Sequence, residues 1–134
     1  MKAKIKKPAI IVTIVKEETG YSAFSEAENN SIHTEGETFD ELKSNILEAV
    51  NLAFEEEGFS WSIEEIKFTY DLEGFFEFYK VINAKALSER IGMNQSLLAQ
   101  YIKGIKKPSP VQVKRILTGV QQIGRELSEV NFLL

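Results

Sequence analysis

Two eight-residue segments, Ala84–Ile91 and Gln95–Ile102, lie either side of Gly92-Met93-Asn94, and each directly follows an asparagine. Asn83 and Asn94 suit the N-cap, where a short side-chain oxygen accepts from the unpaired N–H groups of a first helical turn. Gly92 suits the left-handed residue that closes a helix. The spacing predicts two helices of about two turns joined by three residues. So short a connection leaves little freedom: the helices must cross steeply and share one core, with Leu87 and Ile91 inside on the first and Leu98, Tyr101 and Ile102 inside on the second.

Charge divides the chain in the same sense. Residues 1–78 hold seven Lys and Arg against seventeen Asp and Glu, a balance of −10. Residues 79–134 hold nine against three, a balance of +6, and the two halves sum to the −4 of the whole chain. Such an asymmetry implies two jobs, with the basic half suited to a polyanion. At 134 residues and 43% apolar, the composition is that of a globular protein rather than a disordered, collagenous or coiled-coil one. The absence of cysteine excludes disulfides, thiolate-bound zinc and a thiol nucleophile. The longest apolar run, residues 9–15, is far short of the roughly 20 residues a membrane span requires. The turn-then-strand pattern after it, EETGYSA, differs from a signal-peptide cleavage site. The expectation is a cytoplasmic protein with no membrane partner.

The acidic half reads as strands and then a helix. Ile10–Lys16 is rich in β-branched residues and runs into Glu17-Glu18-Thr19-Gly20, where glycine supplies the positive φ of a tight turn. Residues 21–25 alternate large apolar and small side chains, completing a hairpin, and a third extended piece at 30–35 leads to Gly36. Thr38-Phe39-Asp40-Glu41 has the form of a capping box. Leu42, Ile46, Ala49, Val50, Ala53 and Phe54 then follow helical spacing on one face, ending near residues 55–58. Ile66–Tyr70 reads as a fourth strand. The order β-β-β-α-β is that of a small α+β domain, spanning residues 1–70. Residues 71–79, with Phe75, Phe76 and Tyr79 at helical spacing, read as the first helix of an all-α domain over 71–134.

On the helix 95–102, Gln95, Ser96, Ala99, Gln100 and the following Lys103 form a polar, acid-free face. Glutamine both donates and accepts, matching the N6/N7 edge of adenine, and serine serves either role. Lys103, Lys106 and Lys107 surround Gly104 in the next loop, and Ser109-Pro110 opens a further helix with serine as cap and proline at the tolerated first position. Lysines beside a helix N-terminus form a rim suited to phosphate. Ile116, Val120, Ile123, Leu127 and Val130 repeat at 4-3-4-3 spacing along that last helix, an apolar seam of which part covers the domain and part suits a second copy.

Two stretches resemble known families. Residues 86–109, ALSERIGMNQSLLAQYIKGIKKPS, are similar to the helix-turn-helix of the Xre and phage-repressor type, with Gly92, Gly104, Leu98 and the Lys-Lys-Pro-Ser ending where that family has such residues. The resemblance implies that Asn94, Gln95, Ser96 and Gln100 touch bases or adjacent phosphates, while Lys103, Lys106, Lys107 and Ser109 make the phosphate rim. Residues 10–56 resemble the HicB antitoxin domain, carried by Tyr21-Ser22-Ala23-Phe24, by Thr34-Glu35-Gly36-Glu37-Thr38, and by Glu41 through Ala49-Val50. That likeness implies a degenerate, partial ribonuclease H-like fold and a small ribonuclease toxin, HicA, as partner. The chain departs from the family in the turn between strands two and three, where Glu26-Ala27-Glu28-Asn29-Asn30 replaces the usual Pro/Gly-containing turn.

Together these imply an antitoxin that binds a HicA-like ribonuclease through its N-terminal domain and double-stranded operator DNA through its helix-turn-helix, repressing its own transcription as a homo-oligomer, dimer or tetramer. The alternatives are a solitary transcription regulator whose N-terminal domain serves dimerisation or ligand sensing, and a metal-dependent nuclease with a DNA-binding arm. Two-metal phosphodiester chemistry needs several converging carboxylates, and the first strand holds none. His33, the one histidine, has no Ser or Cys at nucleophile spacing and no second metal ligand near it in sequence, so it reads as an ordinary strand or loop residue. No catalytic residue, metal site or cofactor is expected, and the chain is not expected to be an enzyme.

Overall fold

The computed structural model describes residues 6–27 and 30–134, and these form a mixed α+β protein with one four-stranded sheet and five α-helices. The chain divides after Phe78 into two compact units. Among the described residues no helix is long and apolar enough to cross a membrane.

The first unit holds β1 (Ile10–Lys16), β2 (Tyr21–Ala27), β3 (Asn30–Gly36), α1 (Phe39–Ala53), β4 (Ile66–Tyr70) and α2 (Leu72–Phe78). The sheet order is β3-β2-β1-β4, with β1–β2 and β2–β3 antiparallel and β4 parallel to β1. A parallel neighbour cannot be reached by a tight turn, and α1 makes the crossing. Alternation along β1 sends Ile10, Val12 and Ile14 into the core, where Leu42, Ile46 and Val50 of α1 meet them at four-residue spacing. Each such side chain contributes about 1.5–3 kcal/mol on burial. Close approach of α1 to β3 requires Gly36, since a Cβ there would sit 2.7 Å from the Leu42 nitrogen. At the start of α1, Thr38 Oγ1 accepts from the Glu41 N–H at 3.1 Å, so the hydroxyl half of the expected capping box is present. The carboxylate half appears elsewhere, where the Ser62 N–H donates to Glu65 Oε1 at 3.0 Å.

The domain boundary expected at residues 70/71 lies instead after Phe78, because α2 belongs to the sheet. Asp71 N–H donates to the Ile14 carbonyl at 3.2 Å, and Asp71 Oδ1 accepts from the Gly74 and Lys16 N–H groups at 2.9 and 3.4 Å. At the other end of α2, Phe78 stacks on Phe39 at 4.0 Å and tilts against Tyr21 at 4.6 Å. Glu77 accepts from the Tyr21 hydroxyl at 3.1 Å and pairs with Lys16 Nζ at 3.3 Å. Burial, and then the bond it donates to Glu77, push the Tyr21 phenol above its ordinary value. The aromatic stripe marks a helix that buries one face, but periodicity does not say against what.

The second unit holds α3 (Ala84–Ile91), α4 (Gln95–Ile102) and α5 (Pro110–Ser128). Leu87, Met93, Leu98 and Ile116 are its buried apolar residues. Gly119 lets α5 close on α3, for a Cβ there would collide with Ile91.

Lys7 Nζ donates to Glu65 Oε2 at 2.7 Å. That bond first, and the backbone bond from Ser62, hold the Glu65 carboxyl at about 2, below the ordinary carboxylate value. The stabilisation it gives is complete above the unfolded pKa of about 4.3 and is lost as pH falls through the folded value. In Lys7→Ala, carboxyl-detected NMR titration should show the Glu65 midpoint return toward the ordinary range, with a smaller loss of thermal stability on acidification than in the unaltered protein.

Candidate nucleic-acid interface

The turn between α3 and α4 sets which face of α4 is outward. Gly92 takes φ +69°, and the Met93 N–H donates to the Ser88 carbonyl at 2.9 Å. From α5, the Arg115 guanidinium donates to the carbonyls of Ile91 and Gly92 at 3.1 and 2.8 Å, satisfying the open end of α3. Asn83 Oδ1 accepts from the Ala86 N–H at 3.0 Å and Asn94 Oδ1 from the Leu97 N–H at 3.2 Å, so both expected caps are formed. With Leu98 buried and Leu97, Tyr101 and Ile102 half-buried, Asn94, Gln95 and Ser96 lie exposed and Gln100 half-exposed. Ser96, Gln100 and Lys103 fall on one stripe at helical spacing, with Gln95 beside it.

The loop after α4 is tied to that stripe. Gly104 takes φ +76°. The Gln100 carbonyl accepts from the Ile105 N–H at 2.9 Å and from the Lys106 N–H at 3.3 Å, which holds the Lys106 backbone beside the stripe. Lys103, Lys106 and Lys107 are exposed, and among the described residues none forms an ion pair. Ser109 Oγ accepts from the Gln112 N–H at 3.3 Å as the cap of α5, leaving its hydroxyl hydrogen for another acceptor.

Two roles differ from the expectation. Asn94 commits its side-chain oxygen to the cap, so only its NH2 group remains to contact a ligand. The basic excess is also not one uniform surface. Arg115 is spent on α3, and Arg90 forms a two-point pair with Glu126, whose second contact is 3.3 Å. That pair raises the Arg90 guanidinium and lowers the Glu126 carboxyl from their ordinary values, in each case chiefly through the bond between them. No periodicity announces either arginine, since both partners lie more than twenty residues away. Also unforeseen is Ile105, 69% exposed between the lysines.

On the first unit, Glu17, Glu35, Glu37 and Glu41 line a concavity of about 560 Å³ with Thr19 and Tyr21. His33 is exposed on β3, across from Phe24. Among the described residues no group of three or more His, Cys, Asp or Glu side chains is placed to hold a metal ion. Comparison of the chain with protein-family models, with curated proteins and with solved structures finds no match.

Because Asn94 is a cap, Asn94→Ala should cost the second unit about 1 kcal/mol, whereas Asn94→Asp should keep the helix start. Gln95→Ala should change stability by less than about 0.5 kcal/mol. Thermal unfolding of the three variants measures the difference.

Proposed function

We propose that the chain is an antitoxin of the HicA/HicB kind, in which the second unit binds operator DNA and the first binds and blocks a small basic ribonuclease. The observation that carries the DNA half is the acid-free stripe Ser96–Gln100–Lys103 with Gln95 beside it, rimmed by exposed lysines that form no ion pair among the described residues. In this reading α3 and α4 are a helix-turn-helix. The amides of Gln95 and Gln100 read base edges in the major groove, while Lys103, Lys106, Lys107 and the Ser109 hydroxyl hold phosphates. Asn94 contributes through its NH2 group alone.

The toxin half is supported by the −10 balance of residues 1–78 and by the four glutamates around one concavity, which steer a basic partner. The strand order, with a hairpin, a third antiparallel strand and a parallel return through α1, fits a degenerate ribonuclease H-like domain. One such DNA-binding unit covers little duplex, and repressors of this type act as dimers on half-sites about 34 Å apart.

Selection of binding sites from random duplex, followed by titration against salt, tests the DNA half. Gln95→Ala and Gln100→Ala should each cost about 1–3 kcal/mol on the selected site and relax its sequence, while Lys106→Ala should weaken all sequences and reduce the salt slope by about one. Equal losses on selected and random DNA would remove base readout from α4.

For the toxin half, the chain with Lys103, Lys106 and Lys107 all replaced by Ala should lose DNA yet still capture and silence a ribonuclease encoded beside it. If the unaltered chain binds DNA but leaves that ribonuclease active, the protein is a solitary regulator.

A further inference from the structure

Between the end of α3 and one face of α5 lies an open groove of about 430 Å³, lined by none of the residues of the α4 stripe. Its floor is apolar where Gly119 meets Ile91, and Val111 stands 76% exposed at one end. Lys114, Thr118 and Gln122 follow one another along the α5 side at four-residue spacing. All three are exposed, and among the described residues none of their side chains forms a hydrogen bond or ion pair. Beside them Arg115 bonds two backbone carbonyls through Nε and Nη2, which leaves its charge uncompensated by any carboxylate and its Nη1 unused. Arg90, also at the groove, is neutralised by Glu126. No acidic residue lines the groove, so Lys114 and Arg115 set its charge.

The spacing selects the shape of an occupant. Residues four apart on a helix are about 6 Å apart along its axis, close to the roughly 6.6 Å between alternate residues of an extended chain. A strand-like peptide laid along α5 therefore meets Lys114, Thr118 and Gln122 with every second residue. From Val111 to Gln122 the groove runs about 16 Å, room for about five such residues. A threonine hydroxyl and a glutamine amide each donate and accept, as a passing peptide backbone requires, whereas lysine and arginine only donate and call for a carboxylate.

We propose that this groove docks an extended segment of a partner protein, with a carboxylate at Lys114 and Arg115 and an aliphatic side chain two residues on, over Ile91. The apolar floor favours a peptide over a nucleic-acid strand, which carries phosphate at every step and sets nothing apolar against Ile91. Charge separates this partner from the basic ribonuclease of the preceding reading, and the proposal stands without the DNA-binding one.

Selection from random seven-residue peptides displayed on phage tests it. The bait is the full chain with Lys103, Lys106 and Lys107 replaced by Ala, so that the lysine rim does not collect acidic sequences. Enriched peptides should share an acidic residue two positions from an aliphatic one. Labelled, such a peptide should bind the unaltered chain in fluorescence anisotropy, more weakly as salt rises, and should shift the NMR amide signals of residues 90–92 and 111–122. Lys114→Glu, at an exposed site without a partner, should leave the melting temperature unchanged yet weaken the peptide tenfold or more. Failure to enrich such peptides, binding indifferent to Lys114→Glu, or shifts confined to residues 95–107 overturns the proposal. So does competition by acetate or inorganic phosphate as effective as that of the unlabelled peptide, which would reduce the groove to a simple anion site. A chain that binds the peptide as described but no duplex upholds it and refutes the regulator reading instead.

Discussion

The burial of Leu98 beneath a turn that only Gly92 can make is the constraint on which the second unit rests. Leu98 shares its core with Leu87, Met93 and Ile116, one buried residue from each of the three helices and one from the turn. Gly92 at φ +69° reverses the chain within three residues. Once Leu98 is inside, the 100° step per residue puts Ser96 and Gln100 on the opposite side, while Gln95 is exposed as the first residue of α4. The polar stripe of α4 is therefore a consequence of core packing, held rigid by a cap at each end of the turn.

The same unit sorts its cations by chemistry. Arginine presents a planar fork that satisfies two acceptors at once, and both arginines in the α3/α5 contact are used so, Arg115 on two backbone carbonyls and Arg90 on the Glu126 carboxylate. Lysine, a compact charge on a flexible stem, is left on the loop beside α4. The effect is a cross-braced scaffold with positive charge on flexible stems along one edge. In the first unit the single Asp71 Oδ1 plays a comparable part, joining the start of α2 to the end of β1.

Much of this was legible from residues close in sequence. Asn83, Asn94 and Ser109 cap the helices they precede, and the strands at Ile10–Lys16 and Ile66–Tyr70 begin and end at the residues expected. The outward side of Ser96 and Gln100 follows from the 3.6-residue period once the apolar side is known. The misassignment of α2 has a clear physical cause. Phe75, Phe76 and Tyr79 satisfy helical spacing, but the ring packed against the core is Phe78, met by Phe39 and Tyr21 on elements some forty and sixty residues earlier.

By itself the sequence determined where helices and strands start and stop and how charge is shared between the halves, since caps, turns and alternation depend on groups within about four residues of one another. Tertiary structure decided the rest. It made β4 a parallel neighbour of β1, gave α2 to the sheet, withdrew Arg90 and Arg115 from the basic surface, and left Val113, Leu117 and Leu127 of α5 exposed. Each of these turns on which distant side chains reach one another across a core, and only the folded chain supplies that geometry.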